Sequence, residues 1–469
     1  MIDLKPGAHI HLIGICGTAM ASLAALLKER GYKITGSDRN VYPPMSTFLE
    51  EQGIEIKPDY KAEHLNPAPD FVVVGNVISK HYEEAEALLK SNIPYASLPE
   101  TLRDFVIENR HSLVVCGTHG KTTTTSMASW VADQAGLDPG FLIGGIAKNF
   151  STSFRNPKGG WFVIEGDEYD TAFFAKVPKF LFYNPRSVIL TSVEFDHADI
   201  YPNLEAVLKA FTNLMEIIPQ DGLLVYNAED SNIAKILNSC RSKKISYGFS
   251  HGDWQVSEIT YLREGLEFNI MYQGSVENRI FVPMFGRYNI TNALAVYAMA
   301  KTHGWDVDLK KAFAQFAGVK RRQELIGEPN HIQVIEDFAH HPTAVLETLK
   351  SFKNREGQGR LIAVFEPRSN TSRRNVFQKQ YTEALAVADS SYICEPFAGT
   401  SPLPEEERMD VNQLVEDIRA QGKQALCFSQ VEEAIDRIQA EARPGDTVVI
   451  MSNGGFQGIY GKILKALNP

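Results

Sequence analysis

The sequence predicts an α/β chain divided into three domains, and three observations carry that reading. Apolar β-rich runs alternate with amphipathic helical stretches over most of the chain, the rhythm of parallel sheets covered by helices. Two of those runs end in glycine-rich turns that open helices, "IHLIGICGTAM" and "LVVCGTHGKTTTT". At 469 residues the chain also exceeds what a single hydrophobic core organises.

Taken in order, "HIHLIGI" reads as a strand, "AMASLAALLKERG" as a helix ending at Gly31, and "YKITGSD" as the next strand. "PDFVVVGN" is a further strand and "HYEEAEALLKSN" a helix, so a parallel sheet is expected. The rhythm breaks near residues 107–111, and "SLVVC" restarts it. A second block carries the strands "WFVIE" and "SVILTSV" and the helix "NLEAVLKAFTNLMEIIP"; its short alternating runs over about 245–285 predict antiparallel strands. The third block starts near "GVKRRQE", with "HIQVIED", "RLIAVFEP", "SSYICEP", "KQALCFS" and "DTVVIMSNGG" as strands. The expected borders are 1–109, 110–318 and 319–469.

Composition narrows the function classes. A net charge of −10 argues against a general nucleic-acid surface, because such surfaces neutralise phosphates with Lys and Arg. No apolar run approaches the roughly 18 residues that span a bilayer, and "MIDLKPGAHIHLIG" lacks a basic, cleavable leader. A cytoplasmic protein without membrane or nucleic-acid partners is expected. Cys16, Cys116, Cys240, Cys394 and Cys427 show no C-x-x-C spacing, which fits reduced thiols rather than disulfides or a zinc site.

The second loop carries the clearest chemistry. Gly117, Gly120, Lys121 and Thr122 form G-x-x-G-K-T between a strand and a helix. Glycines free backbone amides to wrap phosphate, the lysine adds positive charge, and the threonine hydroxyl suits Mg²⁺. The spacing is shorter than the common G-x-x-x-x-G-K-S/T, so a tight turn with a surface lysine is the bland alternative. Beyond two nearby strands lie Glu165, Asp167, Glu168 and Asp170, then Glu194, Asp196, His197 and Asp199. Strand ends are where ligands collect in open α/β sheets, so these carboxylates are candidates for one or two Mg²⁺ sites; solvated acidic turns are the alternative. His197 is an awkward Mg²⁺ ligand on chemical grounds and by itself suggests a base or a structural hydrogen-bonder.

Asn289 and Asn292 stand three apart at a helix start, which suits recognition of a base or ribose, although N-capping explains Asn289 equally well. Arg321 and Arg322, and Asp337, His340 and His341 after a strand, complete the polar clusters. The adjacent histidines make a poor zinc pair.

Taken together, "GTHGKTTT", "EGDEYD", "EFDHAD", "GRYNITN", "GVKRRQE" and "EDFAHHPTA" resemble the Mur ligase family, ATP-dependent amide-forming enzymes of bacterial peptidoglycan. The motifs stand in the family's order along nearly the whole chain. The resemblance implies a Rossmann-like N-terminal domain for a UDP-sugar, a central P-loop ATPase-like domain, and a Rossmann-like C-terminal domain that binds the peptide and closes on ATP. It assigns ATP to Gly117, Thr118, His119, Gly120, Lys121, Thr122 and Thr123, with Asn292 at the adenine, Arg322 at the γ-phosphate and Asp337 at the ribose. Thr122, Glu165 and His197 are implied as Mg²⁺ ligands. Lys121, His197, Arg322 and His341 are implied near the reacting groups.

"GICGTAM" then becomes the UDP-sugar loop, with Gly14, Cys16, Gly17, Thr18, Ser37, Asp38 and Asn76 as expected contacts. A dinucleotide reading of that loop fails, because Cys16 and Ala19 occupy the later glycine positions of G-x-G-x-x-G. Arg368, Arg373 and Arg374 in "EPRSNTSRR", with Asn453 in "SNGG", are candidates for the carboxylates of a peptide substrate; a solvated basic loop is the alternative. The sequence departs from the family at Tyr288, where a histidine is common, and at Thr212, where several members carry a carbamylated lysine. Lys209 is out of register, so no carbamylated ligand is expected.

"HLIGICGTAMASLA", "NVYPPMST", "EPRSNTSRRN" and "MSNGGFQG" look most like the branch that joins UDP-N-acetylmuramate to the murein tripeptide in peptidoglycan recycling. The branch that adds L-alanine is the alternative. The chemistry implied is activation of a carboxylate as an acyl phosphate, followed by attack of the acceptor amine.

Overall fold

The computed structural model of the protein describes residues 4–42, 45–198, 200–353, 355, 359–396 and 403–468. The candidate Asp199 lies outside the described residues. The chain forms two compact units, one of Met1–Glu194, Leu204–Trp254 and Ala295–Ala312, the other of Phe195–Asn203, Gln255–Leu294 and Phe313–Pro469.

The first unit contains a five-stranded parallel sheet in the order Glu55–Pro58, Lys33–Asp38, His9–Ile13, Phe71–Val74, Tyr95–Ser97. Phe71–Val74 is wholly buried, as expected of a central strand covered on both faces. The helix Thr18–Glu29 buries every residue from Met20 to Leu27. The chain lays strands to one side of His9–Ile13 and then to the other, so the strand order reverses there.

A second set of strands in this unit runs Lys243–Tyr247, Leu223–Asn227, Ser187–Leu190, His111–Cys116, Trp161–Gly166, Gly140–Ala147, Thr152–Arg155. All pair in parallel except the last. The order reverses again, at His111–Cys116. Ligands bind in the crevice beyond the strand at which such a sheet reverses, and each of the two glycine loops leaves such a strand.

The second unit holds the antiparallel pair Gly265–Tyr272 and Ser275–Val282. It also holds a six-stranded sheet ordered Glu324–Gly327, Gln333–Asp337, Thr447–Met451, Leu361–Phe365, Ser390–Cys394, Gln424–Phe428. Only the edge strand Glu324–Gly327 is antiparallel to its neighbour. Side chains alternate between two cores: Leu361, Ala363 and Phe365 pack with the helices Pro342–Lys353, Gln378–Leu385 and Val411–Ala420, while Ile362 and Val364 pack with Val431–Glu441 and Ile459–Ala466.

Two readings of the sequence need correction. Residues 245–247 belong to the strand Lys243–Tyr247, which pairs in parallel with Leu223–Asn227, so the antiparallel stretch begins later than 245. Asn289 does not cap a helix: the helix Arg287–His303 has begun two residues earlier, and the Asn289 amide donates back to Phe285 O at 2.7 Å. The strands that escaped notice, such as Glu55–Pro58 and Glu324–Gly327, are short, contain exposed residues and therefore carry little apolar signal. Among the described residues no helix is long and apolar enough to cross a membrane.

Candidate functional site

The buried strand His111–Cys116 delivers the chain into Gly117, whose φ is +129°. A Cβ there would lie 2.2 Å from Thr191 Oγ1 and 2.8 Å from both Ser192 N and Ser192 O, so the strand-end neighbours allow only glycine. The loop is tied to that next strand end: Thr118 N donates to Ser192 O at 2.9 Å and His119 N to Ser192 Oγ at 3.1 Å. Gly120, at φ +79°, stands at the N-cap of the helix Lys121–Gln134. Helix amides and loop amides thus converge at one end of a helix, an arrangement suited to anions.

Lys121 Nζ donates to Gly117 O at 2.7 Å and to Thr118 O at 3.3 Å, and pairs with Glu168 Oε2 at 2.8 Å. Burial lowers its pKa, but the charges of Glu168, Asp167 and Glu165 outweigh that and hold it above the ordinary lysine value. Thr122 Oγ1 lies 3.0 Å from Glu165 Oε1, and Glu165 Oε2 accepts from Gly144 N at 2.8 Å. Adjacent ligands of an octahedral Mg²⁺ with bonds of about 2.1 Å lie about 3.0 Å apart, so this oxygen pair fits one edge of such a site. The other strand-end carboxylates are partly committed: Asp167 pairs with Lys179 at 2.6 Å and Asp170 with Lys176 at 3.1 Å. Glu194 takes His119 Nε2 at 3.2 Å, and its amide donates to Thr118 Oγ1 at 2.8 Å. Thr123 is buried in the first helical turn.

The earlier loop is built on the neighbouring strand. Gly14, at φ +84°, and Ile15 donate their amides to Ser37 O at 2.8 and 3.1 Å. Cys16 N donates to Asp38 Oδ2 at 2.9 Å. Asp38 Oδ1 also accepts from Asn40 N at 2.9 Å and from Tyr60 OH at 3.2 Å. The Ser37 hydroxyl is fully buried and donates to Glu84 Oε2 at 2.6 Å. The Ser37 carbonyl and the Asp38 side chain therefore shape the loop, while Gly17, Thr18 and Asn76 are exposed. Burial, then the Asp38 charge, pushes the Cys16 thiol up to about 11, which keeps it protonated and a poor nucleophile.

The second unit gathers the remaining candidates. Asn292 Nδ2 donates to Asn289 Oδ1 at 3.2 Å. Both paired arginines lie over the Phe338 ring, Arg321 5.1 Å and Arg322 4.7 Å from its centre, and Arg321, at φ +62°, is also tied to Glu336 at 2.6 Å and to the carbonyls of Ser452 and Gly454. Asp337 is buried and accepts from the amides of Gln323 at 2.8 Å and Ala339 at 2.7 Å. Burial raises its pKa against the opposing Arg322 charge.

His341 is buried beside Phe377, 5.0 Å between ring centres, and its Nδ1 accepts from Thr343 N at 3.3 Å. His197, at φ +55°, follows Asp196, whose Oδ1 accepts from His197 N at 2.6 Å and from Thr371 Oγ1 at 2.8 Å. Burial raises the Asp196 pKa, but His197, His341 and His340 bring it well below the usual carboxylate range.

In the arginine loop, Arg368 approaches Glu366 at 3.3 Å, and its Nε lies 2.1 Å from where a Cβ on Gly454 would stand. Arg373 is buried and bonds Asn370 Oδ1 at 2.8 Å; burial, then Arg374, lowers its pKa. Arg374 is paired with Glu407, so each of the three arginines has a neighbour of its own here, Glu366, Asn370 and Glu407. Asn453 Oδ1 is sealed from solvent with no hydrogen-bond partner among the described residues. Of the metal set expected from the sequence, Thr122 and Glu165 are brought together in the first unit, and His197 belongs to the second. Sequence reasoning missed the pairing of Glu168 with Lys121, the bond from Thr371 to Asp196, and Gln323, which bridges several segments. Nothing in local sequence marks such partners.

Two nucleotide-type loops at two points of strand reversal, one with a lysine, a threonine and a carboxylate arranged for phosphate and Mg²⁺, define a P-loop α/β nucleotide-binding protein. Comparison with known proteins narrows the class. The family model described as Mur ligase family, catalytic domain, matches residues 9–110, the Mur ligase middle domain residues 115–300, and the Mur ligase glutamate ligase domain residues 321–454. The chain belongs to the Mur ligase family and is an ATP-dependent, amide-bond-forming ligase.

The chain is 42% identical to UDP-N-acetylmuramate–L-alanyl-γ-D-glutamyl-meso-2,6-diaminoheptandioate ligase of Haemophilus influenzae, over 98% of this chain and 99% of the relative. It is 31% identical to UDP-N-acetylmuramate–L-alanine ligase of Clostridium tetani, over 96% of each. Among solved structures it resembles a murein peptide ligase of Psychrobacter arcticus, with a TM-score of 0.70 and 36% identity over 98% of this chain and 99% of that one.

Proposed function

We propose that this ligase joins UDP-N-acetylmuramate to the tripeptide L-Ala-γ-D-Glu-meso-diaminopimelate, with ATP and Mg²⁺, in peptidoglycan recycling. The observation that carries the reading is full-length likeness at 42% identity to a relative named for that tripeptide, against 31% to one named for L-alanine.

A carboxylate and an amine do not condense unaided in water, so the muramoyl carboxylate attacks the γ-phosphorus of ATP, expelling ADP and giving an acyl phosphate. The alanyl amine of the tripeptide then attacks the acyl carbon and expels phosphate. The protein contributes positioning and charge neutralisation. Amides at the start of the helix Lys121–Gln134 and the Lys121 ammonium hold the phosphates, the Thr118 and His119 amides being given to Ser192. Thr122 and Glu165 would hold one Mg²⁺ and His197 would help to bind a second, and such ions would neutralise charge on the transferred group. Arg322 is assigned to the γ-phosphate, Asn292 to the adenine, Asp337 to the ribose and His341 to the reacting groups. Asp337 already receives two backbone amides, so it meets ribose hydroxyls with its remaining lone pairs.

The loop from Gly14 to Thr18, with Asn76, receives the UDP-sugar, and Ser37 and Asp38 act by shaping it. Arg368, Arg373, Arg374 and Asn453 are assigned to the peptide carboxylates, Arg374 by exchanging its Glu407 partner. The test is phosphate release from ATP with UDP-N-acetylmuramate, comparing L-alanine with the tripeptide as acceptor. Turnover with tripeptide alone is expected; turnover with L-alanine alone overturns the assignment.

A further inference from the structure

Asn292 is only 4% exposed. Its Nδ2 donates to Asn289 Oδ1 at 3.2 Å, while its Oδ1 has no hydrogen-bond partner among the described residues. A side-chain amide is ambiguous by itself, because rotation by half a turn exchanges donor and acceptor. Here the chain of contacts removes the ambiguity. Asn289 bonds the carbonyl of Phe285 at 2.7 Å, and a carbonyl only accepts, so the atom facing it is the Asn289 nitrogen. Asn289 Oδ1 is then the acceptor for Asn292, and the atom of Asn292 facing it is nitrogen.

A second backbone group fixes Gln323 in the same way. The amide N–H of Phe285 only donates, so the Gln323 atom 3.2 Å from it is oxygen; this oxygen also lies 3.4 Å from Asn289 Nδ2. The Gln323 nitrogen is held by Tyr288 OH at 2.6 Å and Ser351 Oγ at 2.8 Å. The polarity of the side-chain relay is therefore set at both ends by main-chain groups, and Asn292 is left with an acceptor oxygen for a ligand.

We propose that Asn289 is a specificity-determining positioning residue: by holding Asn292 Nδ2 it fixes that amide in the sense that accepts from the exocyclic amino group of adenine and opposes the oxygen that guanine carries at the same position. This rests on the assignment of Asn292 to the nucleotide base. An asparagine amide pairs with adenine through its oxygen on the amino group and its second N–H on a ring nitrogen. A freely rotating amide offers its nitrogen to guanine just as readily, so the base preference resides in the partner that stops the rotation.

The test uses the full-length protein and compares kcat/KM for ATP with that for GTP. Wild type favours ATP. Asn289→Leu, which fills similar space without an acceptor, narrows the ATP:GTP ratio about three- to tenfold, the worth of one neutral hydrogen bond, with the KM for UDP-N-acetylmuramate unchanged. Asn289→Asp retains an acceptor for Asn292 and retains the ratio, an outcome that a merely structural role does not distinguish from leucine. The ratio does not depend on how much of a variant is folded. If Asn289→Leu yields no folded protein, Asn289→Ala replaces it and shows the same direction of change. A wild-type ratio in Asn289→Leu or Asn289→Ala, or equal use of ATP and GTP by wild type, overturns the proposal. Calorimetric binding of the two nucleotides reads the same preference without turnover. Absent turnover with intact nucleotide preference would count against the assigned reaction and not against this relay.

Discussion

Replacing Gly117 by alanine tests the phosphate loop most directly. The new methyl carbon meets Thr191 Oγ1 at 2.2 Å and the Ser192 backbone at 2.8 Å. The hydroxyl can rotate away, but the Ser192 N and O atoms belong to the adjoining strand end and move only with it. The residue also sits at φ +129°, outside the regions open to L side chains. Strain of about 1–2 kcal/mol for that conformation and about 1–3 kcal/mol for overpacking together predict a loss of about 2–5 kcal/mol. Gly136 is the control: its φ is +68° but an added Cβ meets nothing within 4 Å, so alanine there costs only about 1 kcal/mol. Denaturant midpoints report the stability difference, and phosphate release reports the loop. Because displacing a reacting group by about 1 Å costs roughly 100-fold, Gly117→Ala is expected to lose at least that much activity, while Gly136→Ala keeps it. A Gly117→Ala protein as stable and active as the Gly136 variant would refute the argument that the strand end shapes this loop.

Other expectations follow from the same geometry. Glu165→Ala removes the carboxylate beside Thr122 and should raise the Mg²⁺ concentration for half-maximal rate by about tenfold or more; an unchanged Mg²⁺ titration rejects Glu165 as a ligand. Glu168→Gln leaves the Lys121 ammonium without its 2.8 Å partner and should lower stability by about 3 kcal/mol, as for a broken buried pair; a midpoint shift under about 0.5 kcal/mol shows that Asp167 and Glu165 suffice. Burial, with His303 and Arg186 adding to it, presses the His111 pKa down to about 4. Its folded-state pKa lies below the unfolded value near 6.5, so the unfolded chain binds more protons between those values and stability falls as pH drops from about 6.5 toward 4. His111→Asn should flatten that slope in unfolding measured against pH, and an identical slope argues that other groups govern it.

Much of the site was legible in the sequence because its chemistry is local. A glycine loop followed by Lys121 and Thr122 is a pattern of consecutive residues opening a helix, so the candidates stand side by side in the chain. The same locality made the β-rich runs and the helix pattern readable, since a strand buried on both faces, such as Phe71–Val74, has to be apolar throughout. Exposed edge strands are under no such constraint and passed unnoticed.

What the sequence determined by itself was the class of chemistry, the two loops and the α/β rhythm between them. Only the tertiary structure decided how the charges are spent. Asp167 and Glu168 stand side by side, yet one meets Lys179 and the other Lys121; Arg321 and Arg322 share the Phe338 ring, yet Arg321 also braces Glu336 and the carbonyls of Ser452 and Gly454. The partners of Asp167 and Glu168 lie 12 and 47 residues away, brought close by the packing of strands and helices, and no local pattern of residue types encodes which of them will be there.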